Sequence, residues 1–136
     1  MNGATPGVVT VVIATYNRLG LLRDLLDDLA VQELPNGWLL EVVVVDDGSE
    51  PPVGPALVEH QLGARLQVQA QLNAGPAAAR HRGIGASTGC IIVSLDDDMR
   101  VDPSFLARHL ARHAAGADVV LGRIDDADDG ERRPLF

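Results

Sequence analysis

Val42-Val43-Val44-Val45-Asp46-Asp47-Gly48-Ser49 passes from β-branched apolar residues straight into acids and a turn. A strand with one wet face alternates apolar and polar residues, and this one does not. It reads as a strand buried on both faces, the kind found in a parallel sheet covered by helices. Val8 to Ala14 is a second continuous apolar run; Cys90-Ile91-Ile92-Val93-Ser94-Leu95 is a further strand-like apolar run, ended by Asp96-Asp97-Asp98. Arg65 to Gln71 sets Leu66, Val68 and Ala70 against Gln67, Gln69 and Gln71, a pattern closer to an edge strand. Asp118 to Leu121 is expected to add one more.

Helical segments fall between these runs. Leu19, Leu22, Leu25, Leu26 and Leu29 share one face at i, i+3, i+4 spacing, with Arg23, Asp24, Asp27 and Asp28 mostly opposite. Ala56 to Leu62 is expected to be a short helix entered through prolines. Pro76 opens another, Ala77 to about Ala86, because proline in the first turn has no intrahelical bond to lose. Asp102 has the character of an N-cap, with Pro103 following and Phe105, Leu106, His109 and Leu110 on one face. Alternating strands and helices predict an α/β three-layer sandwich with a mostly parallel sheet. In such a sheet, ligands bind at the carboxyl ends of the strands.

The polar clusters lie at those ends. Thr15-Tyr16-Asn17-Arg18, Asp46-Asp47-Gly48-Ser49, Asn73-Ala74-Gly75-Pro76 and Asp96-Asp97-Asp98 each follow a strand, and Arg80 comes one helical turn after the third. Turn chemistry accounts for any one of them: Asp-Gly-Ser is a good turn, and Asn17 is a plausible helix cap. It accounts poorly for four successive ends that combine an aromatic, arginines and five aspartates. Adjacent carboxylates repel, and hard oxygen donors suit Mg²⁺ or Mn²⁺ carrying phosphate oxygens.

Bulk properties narrow the function classes. The 136 residues, 46% hydrophobic and 22% charged, suffice for one soluble domain with a sizeable core. With only 3% aromatics, that core must be built from Val, Leu, Ile and Ala. A formal net charge of −8 argues against a nucleic-acid surface, and an anionic ligand would need a metal or local cations. No run approaches a membrane span of about 20 apolar residues. Met1 to Gly7 lacks the pattern of a signal peptide. Residues 1–7 are expected to be a flexible N-terminus, 8–124 the folded domain and 125–136 a polar acidic tail. The single cysteine, Cys90, excludes an internal disulfide and is expected to be core filler. These features favour the cytoplasm, with membrane association left open for a longer form.

In four ordered stretches the chain resembles the family-2 glycosyltransferases, whose nucleotide-sugar-binding fold is called GT-A. They are Val11 to Arg18, Val42 to Ser49, Asn73 to Arg80, and Leu95 to Asp98 followed by Pro103. The resemblance runs from about Val8 to Ile124. It implies a metal-dependent, inverting transfer of sugar from a nucleoside-diphosphate sugar of UDP or GDP type to an acceptor hydroxyl. Thr15 and Tyr16 would pack against the base, Asp47 would bond the base edge, and Asp97 would bind the ribose. Arg80 would lie near the diphosphate or sugar. Asp98 would hold the Mg²⁺ or Mn²⁺ as the last acid of the Asp-x-Asp motif, with Asp96 at its first position in support. The family usually has Asn after this arginine, where this chain has His81. The catalytic base of the family lies in a later acceptor-binding half and is expected beyond Phe136. The chain thus resembles a C-terminally truncated donor-binding half, and an apolar edge left uncovered would favour self-association.

Other readings fit less well. Gly83-Ile84-Gly85-Ala86-Ser87-Thr88-Gly89 has the wrong spacing and context for a dinucleotide turn. No glycine run carries a P-loop lysine. Asp125 to Glu131 lacks the ligand positions of a calcium loop. His109 and His113 have no third ligand nearby and read as surface or packing residues. A metal-dependent phosphatase would carry its paired acids after the first strand, where Thr15-Tyr16-Asn17 stands. A nucleotide-sugar-binding module without transferase activity would need the same residues as the enzyme.

Overall fold

The computed structural model describes residues 7–122. Among these residues, four parallel strands form one sheet: β1 (Val8–Thr15), β2 (Leu39–Asp46), β3 (Leu66–Ala70) and β4 (Ile91–Asp96). Their order is β3-β2-β1-β4, so β3, the alternating strand, is indeed an edge. The described helices that accompany them are α1 (Leu19–Ala30), α2 (Pro76–Ala86) and α3 (Phe105–Ala114). The first two connections move the chain outward from β1 to β2 to β3. The third returns through α2 across both strands to place β4 on the other side of β1.

Register fixes what lies at the carboxyl rim. Thr15 pairs with Asp46, Asp46 with Ala70, and Ala14 with Asp96, so all four strands end nearly level.

Side-chain alternation splits the core between the two faces. Val9, Val11 and Ile13 of β1 with Val42 and Val44 of β2 meet the buried leucine stripe of α1 and Phe105, Leu106 and Leu110 of α3. Each fully buried leucine contributes on the order of 2 kcal/mol. On the opposite face, Val43 and Val45 pack on Ala79 of α2. Helices on both faces give the three-layer sandwich. Helix α2 lies so close to the sheet that a Cβ at Gly83 would run into Val12 and come within 3.3 Å of Val45. At the amino ends of the strands, buried Thr10 donates to Glu41 (2.7 Å) and accepts from the Gly89 amide (2.9 Å).

Several local expectations are corrected. Ala56 to Leu62 is not a helix; the chain there makes two short 3-10 turns, Gly54–Leu57 and Gly63–Arg65, that bury Val53, Leu57 and Leu62 against the core. Asn17 does not cap α1. It takes φ 54° and ties the loop to the β2 end, its amide donating to Ser49 Oγ (2.8 Å) and its Oδ1 accepting from the Glu50 amide (2.9 Å). Asp102 caps an Asx turn ahead of α3, accepting from the Ser104 amide and hydroxyl at 3.1 and 3.0 Å, and the helix itself starts at Phe105. Cys90 is exposed, not core filler, because it lies one residue outside β4. Asp118 to Leu121 forms no strand among the described residues. Helix α3 ends in a Schellman turn, with Gly116 at φ 106° and its amide bonded to His113 O, and the Ala117 amide bonded to Arg112 O. The following segment faces β4 across a groove instead of pairing with it, leaving Val119 and Leu121 exposed. The acidic tail and the start of the N-terminus lie outside the described residues. No described helix is long and apolar enough to cross a membrane.

His109 packs its ring edge-on to Phe105, with centroids 4.6 Å apart. Burial, together with His113 and Arg108 nearby, lowers its pKa.

The close approach at Gly83 gives a stability prediction. Overpacking should outweigh the better helix propensity of alanine, so Gly83→Ala should lose about 1–2 kcal/mol. Urea unfolding should show this as a lower midpoint at unchanged slope.

Candidate donor site

Strand order reverses between β1 and β4, and a crevice opens at the carboxyl ends beside such a reversal. The reversal brings the ends of these two strands together. Buried Thr15 Oγ1 donates to Asp97 Oδ2 at 2.9 Å, joining residues far apart in sequence.

Asp97 is 6% exposed, and burial raises its pKa against the opposing effects of the Thr15 bond and the Arg18 charge. Asp98 is exposed, and its one ion pair among the described residues is with Arg18, Nη1 to Oδ2 at 3.4 Å. The same Nη1 is 3.3 Å from Asp97 Oδ1. Asp96 is also exposed and accepts from Arg80 Nη2 at 2.8 Å. The three adjacent acids therefore occupy three different environments.

Asp46 and Asp47 divide differently. Asp46 is structural: Oδ1 accepts from the Ser49 amide and Oδ2 from the Val53 amide, both at 2.9 Å, shaping the loop after β2. Asp47 holds the start of α2. Its Oδ1 accepts from Gln71 Nε2 (2.9 Å) and the Ala74 amide (2.8 Å), and its Oδ2 accepts from the Gly75 amide (3.0 Å) and Asn73 Nδ2 (3.2 Å). Gly75 sits at φ 98°, a conformation that strains other residues, and so turns the chain into Pro76. These bonds, led by the Gln71 side chain and the Ala74 amide, hold the Asp47 carboxyl below its usual pKa.

The loop after the triplet is clamped to α1. Arg100 makes a bidentate pair with Asp28, Nε to Oδ2 at 2.7 Å and Nη2 to Oδ1 at 2.9 Å, and the Val101 amide adds a bond to Asp28 at 3.1 Å. Gln32 donates to Asp102 O at 2.6 Å and accepts from the Leu106 amide at 3.0 Å. The polar side of α1, which looks in sequence like a solvated face, thus supports the rim.

Thr15, Tyr16, Asp47, Arg80, Asp96, Asp97 and Asp98, the residues singled out in the sequence, all line one cleft of ≈ 610 Å³. Arg18 and Asn73 line it as well, and the sequence stretches containing them assigned neither a role. Tyr16 is half exposed there. Gln71 closes the Asp47 network from the end of an alternating strand, where it reads as an ordinary outward residue.

The Asp47 network predicts acid lability. Its folded pKa lies below the unfolded value, so its stabilisation is complete above the unfolded pKa and disappears as pH falls through the folded one. Asp47→Asn should cost about 1–3 kcal/mol at neutral pH. That difference from the wild type should shrink on acidification below the ordinary aspartate range, as read by denaturant unfolding. Amide exchange at Ala74 and Gly75 should accelerate in the variant.

Comparison with known proteins identifies the family and the fold. Residues 10–134 match the family model described as Glycosyl transferase family 2. The Succinoglycan biosynthesis protein ExoO of Rhizobium meliloti (strain 1021) is 40% identical over 94% of this chain and 36% of that protein. An undecaprenyl-phosphate 4-deoxy-4-formamido-L-arabinose transferase of Pseudomonas aeruginosa (strain LESB58) is 34% identical over 93% of this chain and 38% of its own length. Among solved structures, S. aureus TarS 1–349 in complex with UDP-GlcNAc superposes with a TM-score of 0.76 at 28% identity, covering 93% of this chain and 37% of that one. A mannosyltransferase, PcManGT from Pyrobaculum calidifontis, in complex with GDP-Man and Mn²⁺, gives 0.67 at 27% identity over 90% of this chain and 36% of that one. The chain spans little more than a third of the length of these relatives. Its parallel α/β sandwich is of the GT-A type. The chain belongs to glycosyl transferase family 2.

Proposed function

We propose that this chain is the donor-binding part of a metal-dependent, inverting glycosyltransferase that moves sugar from a nucleoside-diphosphate sugar to an acceptor hydroxyl. The observation that carries the reading is the cleft at the β1/β4 reversal, which gathers an aromatic, two arginines and four aspartates in a member of this family. Relatives of the same fold hold UDP-GlcNAc or GDP-Man with Mn²⁺, which supports a donor of UDP or GDP type.

In this reading Tyr16, beside Thr15, offers its ring to the base. Asp47 accepts from the base edge after one of its side-chain donors, Gln71 or Asn73, rotates away. Asp97 accepts from a ribose hydroxyl; its buried position suits a neutral donor group better than a bare cation. Arg80 lies beside Asp96 and faces the diphosphate. The acceptor's base comes from outside the described residues.

The donor set fits a hard divalent cation. Two arginines against four aspartates leave the cleft lining at −2, which one such cation neutralises. Among the described residues no group of three or more His, Cys, Asp or Glu is arranged to hold a metal by itself. That suits Mg²⁺ or Mn²⁺ held by one or two carboxylates, Asp98 with Asp96, and completed by substrate phosphates. When bound, the cation would offset charge on the departing diphosphate without a proton.

Calorimetric titration of UDP and of GDP, with Mn²⁺ and then with EDTA, tests the reading. One of the two nucleotides should bind with Mn²⁺ and lose most of its affinity on chelation. A folded chain that binds neither would sink it. Asp98→Ala should reduce metal-dependent affinity at least about tenfold, the scale of one charge-assisted contact. Asp118→Asn, outside the cleft, should change it less than twofold.

A further inference from the structure

Among the described residues, Arg18 is the one cation that touches two members of the aspartate triplet, and the donor reading gives it no task. We propose that Arg18 is the resident counter-ion of Asp97 and Asp98, seated against the Asp98 carboxylate that a divalent cation must take, and that it turns to the phosphate oxygens when cation and nucleoside diphosphate bind together. The proposal rests on the donor-site reading and assigns a further positioning residue within it.

The contact has the character of a placeholder. A single nitrogen, Nη1, reaches Asp97 Oδ1 at 3.3 Å and Asp98 Oδ2 at 3.4 Å. Charge-assisted bonds with settled geometry are shorter, about 2.7–2.9 Å. This chain has such bonds nearby, between Arg80 and Asp96 at 2.8 Å and in the bidentate Arg100–Asp28 pair at 2.7 and 2.9 Å. The Arg18 and Asp98 side chains are about half exposed, at 52% and 51%, so water screens their attraction and little holds the guanidinium in place.

The backbone beneath Arg18, by contrast, is pinned. Its carbonyl accepts the Leu22 amide at 2.9 Å, and neighbouring Asn17 is bonded to Ser49 and Glu50. A long side chain on a fixed pivot can change partners without moving the rim. A cation approaching Asp98 meets the guanidinium there as a like charge and has to displace it. The displaced group stays in the cleft, where planar donors suit phosphate oxygens. Arg18 therefore opposes the metal alone and assists the metal with a diphosphate.

The test separates these effects on the full chain. Mn²⁺ alone, and then UDP and GDP with saturating Mn²⁺, are titrated calorimetrically into wild type, Arg18→Gln and Arg23→Gln. Arg23→Gln removes the same charge from α1, just beyond Arg18, but Arg23 bonds Ala56 O away from the cleft. In Arg18→Gln, affinity for Mn²⁺ alone should rise roughly two- to fivefold, the scale of a lost exposed ion pair. Its affinity for the nucleotide with Mn²⁺ should fall about tenfold. Arg23→Gln should leave both within twofold. On unmutated protein, the Arg18 Nε–H resonance should shift with Mg²⁺ and UDP or GDP together and by much less with Mg²⁺ alone. If wild type binds a nucleotide but Arg18→Gln moves both affinities in one direction, moves neither, or matches Arg23→Gln, the exchange is wrong and the donor site stands. A resonance unmoved by the full ligand set also overturns the exchange. If folded wild type binds neither nucleotide, the donor-site reading falls and the exchange with it.

Discussion

Strand β1 is hydrogen-bonded to parallel neighbours on both sides, and the register of those ladders is what the rest of the molecule depends on. A parallel pair places like ends together, and β1 ends level with β2 and β4. A two-residue slip of β4, which would keep its core face inward, would withdraw Asp97 from Thr15 by almost 7 Å at the usual rise per residue. A one-residue slip would turn Val93 and Leu95 outward and expose apolar surface. Burial on one face therefore holds the register, and the register sets the rim.

The rim must then accommodate acids that repel one another, and it does so by dividing them. Asp46 and Asp47 are neutralised largely by amide donors and become parts of the scaffold. Asp97 is buried with a hydroxyl partner and keeps a raised pKa. Asp96 and Asp98 stay exposed and face arginine side chains. Of the described rim acids, these are the two whose carboxylates face solvent and are held by arginine side chains alone. Three consecutive aspartates in sequence are equivalent; in the fold, pleating and burial make them different.

Much of the architecture was legible because doubly buried strands need unbroken apolar runs, and β1 and β2 have them. The leucine stripe of α1 was equally plain. The misreadings share a cause. Ala56 to Leu62 and Asp118 to Leu121 have suitable composition, but proline-bounded turns took the first and the Schellman stop of α3 left the second without a ladder partner. Composition reports what a segment tolerates, whereas pairing depends on what lies beside it. The polar residues at strand ends were legible as a group because parallel pairing brings like ends together. Gln71, Asn73 and the Arg100–Asp28 clamp were not, since each acts through a partner distant in sequence.

The distribution of rigid and mobile groups follows from the same economy of bonds. Main-chain donors satisfy the acids that shape loops, so those loops cannot shift without losing several hydrogen bonds at once. The arginines sit on fixed backbone but end in half-exposed guanidinium groups whose contacts are few. For Arg18, whose contacts are the longer ones, rearrangement costs little more than exchanging one screened ion pair for another. Under the exchange proposed for Arg18, a change of charge in this cleft would be met by rotation of that side chain over a stationary rim. The sheet would provide the positions, and Arg18 the adjustment.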